Sequence, residues 1–191
     1  MMRLGLYGGS FDPVHWGHVL VARAALEELE LDRVVFIPAA RSPFKPSAAP
    51  APDGQRLRWL RLALAGEPRF VIDDVELRRG GTSYTVDTVR AVLARHPGAR
   101  LAWMIGADHV PTLPQWREAA ELARLVEFVV IPRPGSPVAP APVPFRVREL
   151  RGWPLSVSSS EIRDRVRAGL AVAHLVPPHV AEAIRESRAY A

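Results

Sequence analysis

The sequence predicts an α/β chain: a doubly wound, mostly parallel sheet forming a single domain that closes with helices at the carboxyl end. Three observations predict it. Short apolar runs of four or five residues, among them LGLY at 4–7, VVFI at 34–37, LAWMI at 101–105 and FVVI at 128–131, lack the alternation of a half-exposed strand and read as strands buried on both faces. Segments with helical spacing of apolar residues separate them, as right-handed crossovers require. Glycine, proline and aspartate gather just past the carboxyl ends of the runs, where an open α/β sheet binds its ligands.

The first strand ends in GGSFDPVHWGH, residues 8–18. Gly8 and Gly9 carry no Cβ and let main-chain amides approach an anion. With a helix beginning near Val14 to Trp16, the i, i+3 spacing of His15 and His18 puts both imidazoles on one face at a helix amino terminus, where the dipole favours a polyphosphate. Val19, Ala22, Leu26 and Leu29 form the buried stripe of that helix, with Arg23, Glu27 and Glu28 turned outward. Arg33 to Pro38 is then the second strand of a βαβ unit.

The loop from Ala39 to Asp53, ARSPFKP followed by AAPAPD, is expected to be mobile; it borders the ligand crevice and brings Arg41 and Lys45 toward it. Asp53 is expected to cap a helix over 54–64, with Leu57, Leu60 and Leu64 buried and Arg56, Arg58 and Arg61 on its solvated face. Phe70 to Asp73 reads as a short strand and Val75 to Leu77 as an extended arm. Gly80 and Gly81 permit a turn, and Ser83 or Thr85 can cap a helix over 86–93.

The strand at 101–105 runs into Gly106-Ala107-Asp108, where a carboxylate past a central strand end can accept ribose hydroxyls. Trp116, in LPQWRE, is expected to open a helix to Leu125, as packing residue or ligand platform. Glu127 to Pro132 is the next strand, and Arg133 at its end can reach a phosphate. SPVAPAPVP at 136–144 reads as a mobile surface loop, and Arg146 to Leu150 as a further strand. In WPLSVSSSEIRDRV, Ser158 and Glu161 have capping-box spacing, while Ser159, Ser160 and Arg163 add hydroxyls and a guanidinium suited to a triphosphate.

Composition narrows the classes. Among 191 residues there is no cysteine, which excludes a disulfide framework, a thiolate metal site and a cysteine nucleophile and fits a reducing cytoplasm. No apolar stretch approaches the ~20 residues of a membrane helix, and the start MMRLGLYGG lacks a signal peptide's apolar region. The net charge of +5 is spread among scattered arginines, which suits an anionic small substrate as well as a nucleic acid. No nucleic-acid or membrane partner is expected.

GGSFDPVHWGH resembles the (H/T)xGH signature of the Rossmann-like nucleotidyltransferases. ELRRGGTSYTVDTV, GAD at 106–108, LPQWRE and VSSSEIR are similar to blocks of the bacterial nicotinate-nucleotide adenylyltransferase family. The closing LVPPHVAEAIRESRAY also resembles that family, with Ala183 where its tyrosine is common.

The resemblance implies transfer of AMP from ATP to nicotinate mononucleotide, releasing pyrophosphate, by positioning and charge neutralisation rather than a protein nucleophile. It implies His15, His18 and Arg163 as catalytic residues. ATP would be bound by Gly8, Gly9, Ser10, Phe11, both histidines, Gly106, Asp108, Ser158, Ser160 and Arg163. The mononucleotide would meet Lys45, Ser83, Tyr84, Thr85, Asp108, Trp116 and Arg133. Mg²⁺ would arrive with ATP, no protein metal site being expected. Rival readings are a nicotinamide mononucleotide or pantetheine-phosphate adenylyltransferase, and a non-catalytic nucleotide-binding protein. Oligomeric state is left open, a homodimer being one option.

Overall fold

A computed structural model describes residues 1–41, 50–132, 134–135 and 137–190. In chain order it contains β1 (Arg3–Gly9), α1 (Trp16–Glu28), β2 (Arg33–Pro38), α2 (Asp53–Leu64), β3 (Phe70–Ile72), α3 (Val75–Arg79), α4 (Thr85–Arg95) and β4 (Arg100–Gly106). A 3-10 helical stretch, Ala107–Gln115, follows; then come α5 (Ala119–Leu125), β5 (Val126–Ile131), β6 (Val147–Glu149), α6 (Ser159–Arg167) and α7 (Pro178–Ser187). The six strands are ordered β3-β2-β1-β4-β5-β6 and every neighbouring pair is parallel.

The unbroken apolar runs have a direct structural reason. Along β2, Val34 and Phe36 enter one core with Tyr7, Leu26, Trp59 and Met104, while Val35 and Ile37 enter the other with Leu4, Leu6, Val89 and Trp103. Both sheet faces are covered, so both sets of side chains must be apolar. From β1 the chain builds outward through β2 and β3, then returns to place β4 on the other side of β1. Strand order therefore reverses between β1 and β4, and a crevice opens beyond their carboxyl ends.

Several expectations of local structure are corrected. Val75 to Leu77 lies within helix α3, not an extended arm: the Asp73 carboxylate accepts the Val75 N–H at 3.1 Å and turns the chain, and Arg78 pairs with Asp74 one turn on. Helix α2 begins at Asp53 with Pro52 before it, and the Asp53 carboxylate binds Arg56 instead of capping. Arg56 is fully buried, not solvated, while Leu57 is only partly covered; Trp59 takes the core position. Trp116 opens no helix. Pro111 and Pro114 restrict the preceding stretch to 3-10 turns, Trp116 ends it, and α5 starts after Glu118, whose φ is 52°.

Candidate active site

A cleft of about 700 Å³ lies over the carboxyl ends of β1 and β4, and the starts of α1, α4 and α6 open onto it. Its floor is tight. A Cβ on Gly8 would stand 3.0 Å from the Trp103 ring, so a larger residue here would require that ring to give by a few tenths of an ångström.

Phe11, with φ 46°, turns the chain inward after β1. Its ring is 1% exposed and packs edge-on to Tyr7 and His18, at centroid distances of 5.5 and 5.0 Å, so it lies beneath the cleft rather than in it. His15 immediately precedes α1, and the two imidazoles lie against each other with ring centroids 3.7 Å apart. The His15 main-chain N–H donates to His18 Nδ1 at 3.2 Å, so in the neutral ring His18 carries its proton on Nε2. Both histidines line the cleft.

At α6, Ser158 caps the helix, its Oγ accepting the Glu161 N–H at 3.2 Å, and lies 3.1 Å from Ser160 Oγ. Ser159, which also lines the cleft, donates to the Pro13 carbonyl at 2.9 Å. Arg163, one turn on, donates through Nη1 to the Asp12 carbonyl at 2.8 Å, tying α6 to the histidine turn. Arg163, Ser158 and Ser160 share the cleft with the histidines.

At α4 the expected cap does not form. The helix starts at Thr85 with no side-chain cap, and Ser83 Oγ instead accepts the Ala40 N–H at 3.1 Å while the Ser83 N–H donates to the Arg41 carbonyl. The first amides of α4 are thus not taken by a capping hydroxyl. Behind them Glu76, 3% exposed, accepts from Thr88 Oγ1 at 2.6 Å; burial pushes its carboxyl pKa up, against the hydrogen bonds from Thr88 and Ser83. The Arg117 guanidinium lies 4.7 Å over the Tyr84 ring. Trp116 is half-buried, its Nε1 donating to Thr112 Oγ1 at 3.3 Å and its ring edge-on to His109 and Phe128.

The cleft thus brings together Gly8, Gly9, Ser10, His15, His18, Ser83, Tyr84, Thr85, Gly106, Asp108, Trp116, Ser158, Ser160 and Arg163. Lys45 and Arg133 lie outside the described residues. The sequence reading missed Glu76, His109, Arg117, Trp153 and Leu155, which also line it. Trp153 and Leu155 are 52% and 44% exposed, and a tryptophan beside Pro154 in a polar stretch was a signal available in the sequence. Glu76 opens the ELRRGGTSYTVDTV block, but nothing local in the sequence announces its burial, which the tertiary fold supplies. Among the described residues no three or more histidines, aspartates or glutamates gather as a metal site would require.

Residues 6–165 match the cytidylyltransferase-like family. Relatives from Opitutus terrae and Geobacillus kaustophilus, each named "Probable nicotinate-nucleotide adenylyltransferase", are both 43% identical, over 99% of this chain and 98% of the first relative, and over 100% of this chain and 87% of the second. The chain belongs to the nicotinate-nucleotide adenylyltransferase family, a family of nucleotidyltransferases. The fold agrees with a Plasmodium falciparum nicotinic acid mononucleotide adenylyltransferase complexed with NaAD. That structure has a TM-score of 0.78 at 18% identity, and the match covers 100% of this chain and 98% of the other.

Proposed function

We propose that this nucleotidyltransferase moves AMP from ATP to nicotinate mononucleotide in the cytoplasm, forming the deamido dinucleotide and pyrophosphate, with residues 1–191 acting as one domain. A 5′-phosphate oxygen of the mononucleotide bonds to the α-phosphorus of ATP in line, and the bond from that phosphorus to the bridging oxygen of pyrophosphate breaks. The attacking phosphate is already anionic, so catalysis reduces to alignment and neutralisation of charge.

The observation that carries this reading is the opening of three helix starts onto one cleft, each with different donors. His15 and His18 stand at the start of α1 and supply imidazole N–H groups to phosphate oxygens. Ser158, Ser160 and Arg163 at α6 serve the leaving pyrophosphate. The uncapped amides of α4 suit the pyridine carboxylate, with Trp116 as a surface for the ring and Asp108, 68% exposed at the end of β4, as acceptor for ribose hydroxyls. The Arg163 guanidinium would repel a cation held beside it on the phosphate side, so Mg²⁺ would be carried by the ATP phosphates and would supply neutralisation of their charge.

The test is pyrophosphate release with ATP and a panel of nicotinate mononucleotide, nicotinamide mononucleotide and phosphopantetheine. Fastest turnover with the nicotinate form is expected. Preference for another acceptor would reassign the substrate, and ATP binding with no turnover would leave a nucleotide sensor.

A further inference from the structure

Beyond α7 the chain folds back against the turn that carries the histidines. Tyr190 donates from its hydroxyl to Asp12 Oδ1 at 2.5 Å, and the Ala51 N–H donates to the same oxygen at 3.2 Å. Asp12 is 5% exposed, so its carboxylate draws its donors from protein rather than water. The other carboxylate oxygen lies 3.8 Å from Arg163 Nη1, beyond hydrogen-bond length; that nitrogen donates instead to the Asp12 main-chain carbonyl at 2.8 Å.

A guanidinium and a carboxylate this close would normally close to a two-pronged pair, the strongest arrangement open to them. Closure would spend on Asp12 the donors that Arg163 now turns to the cleft. The hydroxyl of Tyr190 opposes that closure by satisfying the carboxylate with a neutral donor. Burial, and then the neighbouring Asp12 carboxylate, push the tyrosine pKa up, so the hydroxyl keeps its proton. The Trp59 ring, 5.7 Å away, packs beside Tyr190.

We propose that Tyr190 is a positioning residue: its hydrogen bond to Asp12 keeps Arg163 from pairing with that carboxylate and leaves the guanidinium to the anionic substrate. This rests on the reading of Arg163 as a phosphate ligand. The experiment is Tyr190→Phe, which keeps the ring and removes only the hydroxyl, in the wild type and in an Asp12→Asn background. Steady-state constants and Tm are read for each. In the wild type kcat is expected to fall about tenfold, the scale of one hydrogen bond, with KM for the mononucleotide within about twofold. In the Asp12→Asn background the same change is expected to leave kcat unaltered, because no carboxylate remains to capture Arg163. Wild-type kcat in Tyr190→Phe, an equal loss in both backgrounds, or a loss that tracks Tm would overturn the proposal. Arg163→Ala in the same assay separates the two layers. If it turns over normally, the phosphate role of Arg163 fails and this proposal with it; if it is impaired while Tyr190→Phe is not, only the tyrosine's role fails.

Discussion

Arg56 and Arg163 grip the same turn in the same manner from two different helices. Arg56 Nη1 donates to the Ser10 carbonyl and Arg163 Nη1 to the Asp12 carbonyl, each at 2.8 Å. Their surroundings separate them. Arg56 is fully buried and also donates to the carbonyls of Ala51 and Ala39 and to the Asp53 carboxylate, so its donors are consumed in joining the ends of β1 and β2 to α2. Arg163 keeps 29% of its side chain exposed, lines the cleft and, among the described residues, makes one such hydrogen bond. What divides the structural arginine from the one proposed to bind substrate is how many of the five N–H groups the described residues leave unspent.

The largest expected effect breaks the structural member. Arg56→Ala removes a fully buried side chain and leaves three part-buried carbonyls without their donor, and is expected to destabilise by about 2 to 5 kcal/mol, the scale of truncating a large core side chain. Chemical denaturation measures it. Arg58→Ala on the exposed face serves as control and should stay within about 0.5 kcal/mol. Equal effects at the two positions would erase the distinction.

Next comes the other arginine. Arg163→Ala is expected to lower kcat/KM for ATP by about 10², the loss of one oriented charge-stabilising donor, with Tm shifted by less than about 4 °C. A large fall in Tm with normal kinetics would make Arg163 a second Arg56.

Unspent donors also stand at the α4 start, where no hydroxyl among the described residues caps the first amides. On the proposed reading a pyridine carboxylate would accept from them, whereas a carboxamide NH₂ would face donors at a cost of ~1 to 3 kcal/mol. The wild-type ratio of kcat/KM for nicotinate over nicotinamide mononucleotide is therefore expected to be about 10 to 100. Thr85→Ser should keep it, since main chain makes the choice. A ratio near one would remove these amides from substrate selection.

The smallest effect concerns Glu76, a buried carboxyl group facing hydroxyls where Arg56 has a carboxylate. Its folded pKa is raised by burial, so its contribution to stability is greatest below the ordinary carboxylate range and fades as pH rises through the folded value. Gln cannot ionise. The Tm of Glu76→Gln relative to wild type should therefore rise between pH 4 and pH 7.5. A flat difference would mean that Glu76 pays no desolvation cost.

The strands were legible because burial on both faces writes itself as unbroken Val, Ile, Leu and Phe runs, and the histidine turn because its order of glycine, proline and imidazole is local. Arg56 was not. Helical periodicity marks a polar residue as outward, and nothing in the sequence announces that carbonyls from 10, 39 and 51 converge on it. Ser83 and Thr85 read as caps for the same reason: propensity sees a hydroxyl before a helix, whereas the fold offers Ser83 a main-chain N–H 43 residues away.

Gly17, between the two histidines, sets a dimension. A methyl group there would stand 3.0 Å from the His15 ring and 3.0 Å from Val157, the residue that leads into the serines of α6. A single hydrogen atom is therefore the gauge block between the imidazole side of the cleft and the serine side. A side chain at 17 would oblige the His15 ring or Val157 to give by a few tenths of an ångström, shifting one side of the cleft against the other.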